Sequence, residues 1–125
     1  MIGKAARLLG IVFVAVGILG FVPQATPNGL LLGIFPVSTW HNVAHLVLGL
    51  WGLSVGASFA GAVRYMRSLT AIYALLAVLG LIASTSNLFG VIPLHGPDVW
   101  LHAGLAVVAA YFGFGPPSRG GVVVA

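Results

Sequence analysis

Cysteine and glutamate are both absent from this 125-residue chain, and Asp98 is its only carboxylate. Without thiols there can be no disulfide, thiolate metal site, thiol nucleophile or dithiol exchange centre. A lone carboxylate excludes catalysis by paired carboxylates, and His41-x-x-x-His45 lacks the intervening glutamate of a helical metalloprotease site. Charge of either sign is scarce, at 5% of residues against about 25% in an ordinary soluble domain. What fills the space is apolar: 60% of residues are hydrophobic and the mean hydropathy is +1.15. Such a chain cannot cover a water-facing surface, so the lipid bilayer is its expected surrounding and first partner. The five bases Lys4, Arg7, Arg64, Arg67 and Arg119 give a net charge of +4 and a pI near 10.4. They form no aromatic-interleaved patch, and nucleic acid is not an expected partner.

Hydropathy divides the chain into four apolar spans, at about residues 5–22, 41–63, 69–83 and 99–114. The fourth is short and gains from Pro97 and Asp98, both suited to a helix start. The bases precede the first span, separate the second from the third and follow the fourth, while the other two loops carry none. This is the positive-inside pattern, so both termini are expected to be cytoplasmic and residues 23–40 and 87–97 outside. Trp40, Trp100 and Tyr111 fall near span ends, where amphipathic rings settle at the interface. A secretory signal competes for the first span, because Lys4 and Arg7 precede an apolar run and Ala25 is a small residue at the cleavage distance. An internal counterpart to that span favours a structural helix.

That counterpart comes from a repeat. Shifted by 57 residues, Gly33, Pro36, His45 and Leu48 fall over Gly90, Pro93, His102 and Leu105. Leu32-Gly-Ile-Phe-Pro-Val then matches Phe89-Gly-Val-Ile-Pro-Leu. The first helices align as Gly17-Ile-Leu-Gly-Phe-Val over Ala77-Val-Leu-Gly-Leu-Ile if the first loop is three residues longer. Each half crosses out and returns, which makes the halves parallel repeats about an axis along the membrane normal. Inverted transporter repeats need an odd number of spans per half. The expected fold is therefore all-α, an integral membrane four-helix bundle of two parallel-repeat helical hairpins. It forms one domain over residues 1–125, with repeats at about 5–63 and 68–114 and a short cytoplasmic tail at 115–125. The proline-ended segments 30–36 and 88–93 are too short to span and are expected at the outer interface or dipping partly back.

Histidine supplies the only chemistry. His41, His45, Gly49, Gly52 and Gly56 share one face of the second helix, and Asp98, His102, Ala106, Ala109 and Gly113 repeat the same spacings on the fourth. Small residues let helices approach closely in lipid, so these two faces are expected to pack on each other and bring His45 and His102 together near the axis. The intramembrane polar cluster is then His41, His45, Asp98 and His102, about one turn below the outer surface.

The bland account of that cluster is mutual hydrogen bonding that fixes helix packing, with no cofactor. The sharper one is a ligand site: His41, His45 and His102 as candidate ligands to a transition metal, or two of them as axial ligands to a haem. His95, in the outer loop, and the polar run 84–87 have ordinary solvated or backbone-bonding roles. Small-solute permeation finds no polar path among the Gly, Ala and Val of the inner half.

Together, Asn42-x-x-His45-Leu-x-x-Gly49-x-x-Gly52-Leu, Arg64, Gly80-Leu, Phe89-Gly-x-x-Pro93-Leu and Trp100-Leu-His102 resemble the bacterial family catalogued as domain of unknown function 4383. The resemblance implies a four-helix protein of the bacterial inner membrane, with His45 and His102 as motif residues, and brings no activity, substrate or cofactor. The function expected is a non-enzymatic scaffold or accessory module, in a homo-oligomer or a larger membrane complex. A metal- or haem-binding protein for electron transfer or sensing is the alternative.

Overall fold

Two serines decide where the middle helices begin. Ser38 accepts a hydrogen bond from the His41 N–H at 3.2 Å and Ser58 accepts one from the Gly61 N–H at 3.1 Å, each capping the helix that follows. The structure is a computed structural model that describes residues 1–82, 90 and 92–115. Its helices are α1 (Ile2–Leu19), α2 (Thr39–Val55), α3 (Phe59–Leu81) and α4 (Pro97–Phe114). The all-α, four-helix expectation holds. Among the described residues α1, α3 and α4 are each long and apolar enough to cross a membrane. The 17 residues of α2 rise roughly 26 Å, a little short of the roughly 30 Å of hydrocarbon.

The boundary between the second and third spans differs from the hydropathy reading. The second span ends at Val55 rather than residue 63, and α3 starts ten residues before position 69. Nothing polar enough to interrupt a hydropathy window lies between Val55 and Val63, whereas the cap at Ser58 is a local hydrogen bond that such a window cannot register. Arg64 and Arg67 consequently lie inside α3 and not in a loop. Pro97 and Asp98 do open α4, after Gly96 turns the chain at φ +71°.

Residues 30–36 form a small antiparallel hairpin, Leu30–Leu31 (β1) against Phe35–Pro36 (β2), turned by Leu32 and Gly33 at positive φ. It folds over the end of the bundle and β2 touches α4. Residues 88, 89 and 91 of the related segment 88–93, the polar run 84–87 and the tail beyond Gly115 lie outside the described residues.

The helices pack as antiparallel hairpins, α1 on α2 and α3 on α4, joined where α3 meets α1 and α2. Close approach of α1 and α2 rests on glycine: a Cβ on Gly10 would come within 2.7 Å of the Gly49 carbonyl oxygen, and one on Gly49 within 2.6 Å of Val14. Tyr65, Leu69 and Tyr73, four residues apart on α3, point into a core completed by Ala6, Phe13, Ala62, Met66 and Ala109. Tyr65 ties the hairpins together by donating its hydroxyl to the Leu48 carbonyl at 2.8 Å and setting its ring edge-on to Trp51. At the basic end, Gly56 lies under the Arg7 side chain and Gly113 against Arg67. Arg67 also donates its Nε–H to the Gly113 carbonyl at 2.8 Å, satisfying an acceptor that α4 leaves open at its C-terminus.

Candidate functional site

The end of the bundle opposite the bases gathers the histidines. Capping at Ser38 starts α2 early enough to place His41 in its first turn, facing inward and 5% exposed. Pro97 and Gly96 do the same for α4, leaving Asp98 and His102 each 1% exposed. His45 lies one turn below His41 and is half-buried. The His41 and His45 rings are 4.5 Å apart between centroids and the His41 and His102 rings 6.1 Å. His41 thus neighbours both of the histidines that the repeat matches.

Two aromatics complete the cluster. Phe13 of α1 stacks on His45 at 5.9 Å, Tyr73 of α3 lies 5.3 Å from His102, and Phe13 and Tyr73 stack on each other at 5.8 Å. Sequence reasoning missed both. The signal was available, because the offset that lays Gly17 over Ala77 also lays Phe13 over Tyr73.

The small-residue faces behave differently from expectation. Gly49 packs against Gly10 and Val14 of α1, and Gly52 against Ala6 of α1 and the Tyr65 hydroxyl. Gly56 and Gly113 meet arginines of α1 and α3, and Ala106 and Ala109 are buried in the core that α3 dominates. The faces of α2 and α4 thus serve their own hairpins rather than each other. Glycine sets the pairing, because backbone contact is made where small residues of α1 and α2 meet.

A cleft of about 230 Å³ opens between the hairpins. Its apolar walls come from Val12, Phe13 and Val16 of α1, from Leu101 and Leu105 of α4, and from the β1–β2 hairpin. His41, His45, Asp98 and His102 are its polar lining. Each of these four keeps a buried atom without a hydrogen-bond partner: Nδ1 of the three imidazoles and Oδ2 of Asp98. The buried Asn42, beside Gly20, leaves its Oδ1 unpartnered as well. His41 is further constrained by a hydrogen bond to the backbone of Pro36. Proline offers only a carbonyl, so the ring is the donor in that contact. Among the described residues no three His, Cys, Asp or Glu side chains are grouped so that they could hold a metal ion. His95 is exposed and stands apart from the cluster.

The family model described as "Domain of unknown function (DUF4383)" matches residues 4–115, nearly the whole chain. The chain belongs to this family. No curated protein and no solved structure matches it. All four cleft residues fall within the stretch that the family model covers, as do Phe13 and Tyr73.

Proposed function

We propose that this family member is a non-enzymatic integral membrane module that holds a small ligand in the cleft between its two hairpins. The observation that carries the reading is the convergence on one cleft of four polar residues, each with a buried and unpartnered nitrogen or oxygen. Leaving such a group unsatisfied costs about 1–3 kcal/mol. Four polar residues lining one otherwise apolar cleft suit a bound small molecule. The donor set supports binding over catalysis: it contains no thiol and only one carboxylate.

Two further features support the setting. Lys4, Arg7, Arg64 and Arg67 share the end away from the cleft, which argues for that end in the cytoplasm of a bacterial inner membrane and the cleft toward the outer face. Contacts matched between hairpins support the internal repeat: Phe13 with His45 and Tyr73 with His102, Arg7 with Gly56 and Arg67 with Gly113. The haem or transition-metal alternative rests on the same three imidazoles. A visible spectrum and metal analysis of detergent-purified protein test it, since a Soret band or stoichiometric metal that disappears in His45→Ala and His102→Ala would establish it.

Thiol access tests the cleft itself. Because the chain has no cysteine, Leu105→Cys introduces a single thiol on the cleft wall. A small methanethiosulfonate should label it in membrane vesicles, and adding His45→Trp, which fills the cleft, should slow the labelling at least tenfold. A thiol that no reagent reaches contradicts an open binding cleft.

A further inference from the structure

The bases at the other end of the bundle repeat along with the helices. The offset that lays Phe13 over Tyr73 also lays Lys4 over Arg64 and Arg7 over Arg67. In each hairpin the two bases are three residues apart on the first helix, a spacing that sets them side by side on one helix face. The arginine that ends each pair rests on a glycine of the neighbouring helix: a Cβ on Gly56 would overlap the Arg7 side chain, and one on Gly113 would come within 3.1 Å of the Arg67 Cγ. Arg67 is held further by its Nε–H bond to the Gly113 carbonyl and by the Phe114 ring beneath it. Capping the end of α4 in this way uses the Nε–H alone and leaves the two terminal NH₂ groups of an exposed, pre-placed guanidinium.

No acidic side chain neutralises these charges. The chain's one carboxylate side chain, Asp98, is buried at the opposite end, and Lys4, Arg7, Arg64 and Arg67 are all exposed. Gly56 closes α2 and Gly113 lies in the last turn of α4, so the two arginines stand at the level where those helices leave the hydrocarbon. Lys4 and Arg64 stand one turn farther out, among the lipid headgroups. A guanidinium presents paired N–H donors that match a phosphate in geometry and in sign, and a second cation one turn away attracts the same group. Basic side chains at this depth draw anionic lipids, whereas a zwitterionic headgroup brings its own counter-charge.

We infer that each hairpin holds one anionic phospholipid headgroup, its phosphate between Lys4 and Arg7 on α1 in one hairpin and between Arg64 and Arg67 on α3 in the other. These two sites are independent of the cleft. The probe is dioleoylphosphatidylglycerol, titrated into the full-length protein in a non-ionic detergent and counted by native mass spectrometry. Two molecules should bind per chain, at concentrations at least tenfold below those that dioleoylphosphatidylcholine needs. Arg64→Gln and Lys4→Gln keep the packed arginines in place; each should lower the count to one, and the pair together to none. Added salt should weaken the binding severalfold, as for any exposed ionic contact. Inorganic phosphate in hundredfold excess over the lipid should leave the count unchanged, because the bilayer-like surround and not the phosphate alone sets the depth. If a glutamine variant does not fold, the count and the preference over phosphatidylcholine on the wild type decide alone. Equal binding of the two lipids, a count other than two, or a count that neither substitution changes would overturn the assignment. Displacement by inorganic phosphate would overturn the lipid as the source and assign the bases to a soluble anion.

Discussion

Phe13 and Tyr73 stack at 5.8 Å with 22° between their planes, one from the first helix of each hairpin. Each ring also lies against the histidine of its own hairpin, so this stack is both the joint between the halves and the floor of the polar cluster. Phe13 is 2% exposed and Tyr73 1%, which makes the joint sensitive to volume. Phe13→Ala should cost about 3 kcal/mol, the usual loss for a buried aromatic cut to a methyl. Phe21→Ala, at a side chain 49% exposed, should fall within about 0.5 kcal/mol of wild type. Unfolding midpoints in a single detergent compare the two.

Backbone contact between α1 and α2 yields a sharper contrast. Gly49→Leu would push a side chain into Val14 and the Gly10 carbonyl, and should destabilise by about 1–3 kcal/mol or more. On α4, Gly104 has open space where its Cβ would be. Gly104→Ala should leave stability unchanged or raise it by up to about 1 kcal/mol through helix propensity. Thermal midpoints of the two variants check the pair.

Arg67 holds the last turn of α4 through its bond to the Gly113 carbonyl and its position over the Phe114 ring, 4.9 Å from the centroid. Arg67→Gln should lose about 1 kcal/mol, concentrated at that turn. Hydrogen exchange at the final amides of α4 should accelerate several-fold, with the middle of α1 unaffected.

Much of this was legible in the sequence, for physical reasons that differ by residue. Long apolar runs and scarce charge make four helices unavoidable, and the bases at alternate connections order them. The α2–α3 boundary was not legible from hydropathy, because Gly56, Ala57 and Phe59 continue the apolar run and only the cap by Ser58 marks the stop. The shared helix faces group His45 and His102 at one end, since period and offset are sequence properties. That His41 neighbours both, and that the glycines of α2 face α1, depend on how each helix is rotated about its axis. Rotation is set by side chains from other helices, notably Tyr65 and Phe13, and spacing within one helix cannot report it.

The proposed orientation rests on the basic end and is open to a direct check. Ala57→Cys, in the exposed turn between α2 and α3, should be labelled by a membrane-impermeant maleimide only when the cytoplasmic side is accessible. Asn28→Cys, exposed in the opposite loop, should be labelled on intact spheroplasts. The reverse pattern would invert the assignment and turn the cleft inward.

The central claim is that His41, His45 and His102 of one chain converge around a single cleft. The most direct measurement is the set of through-space imidazole cross-peaks in ¹⁵N,¹³C-histidine-labelled protein diluted into an excess of unlabelled protein. Cross-peaks joining His41 to both His45 and His102 that survive dilution, with none to His95, are the predicted result. Their absence, or their loss on dilution, would show that the histidines meet between chains or not at all, and would contradict the account.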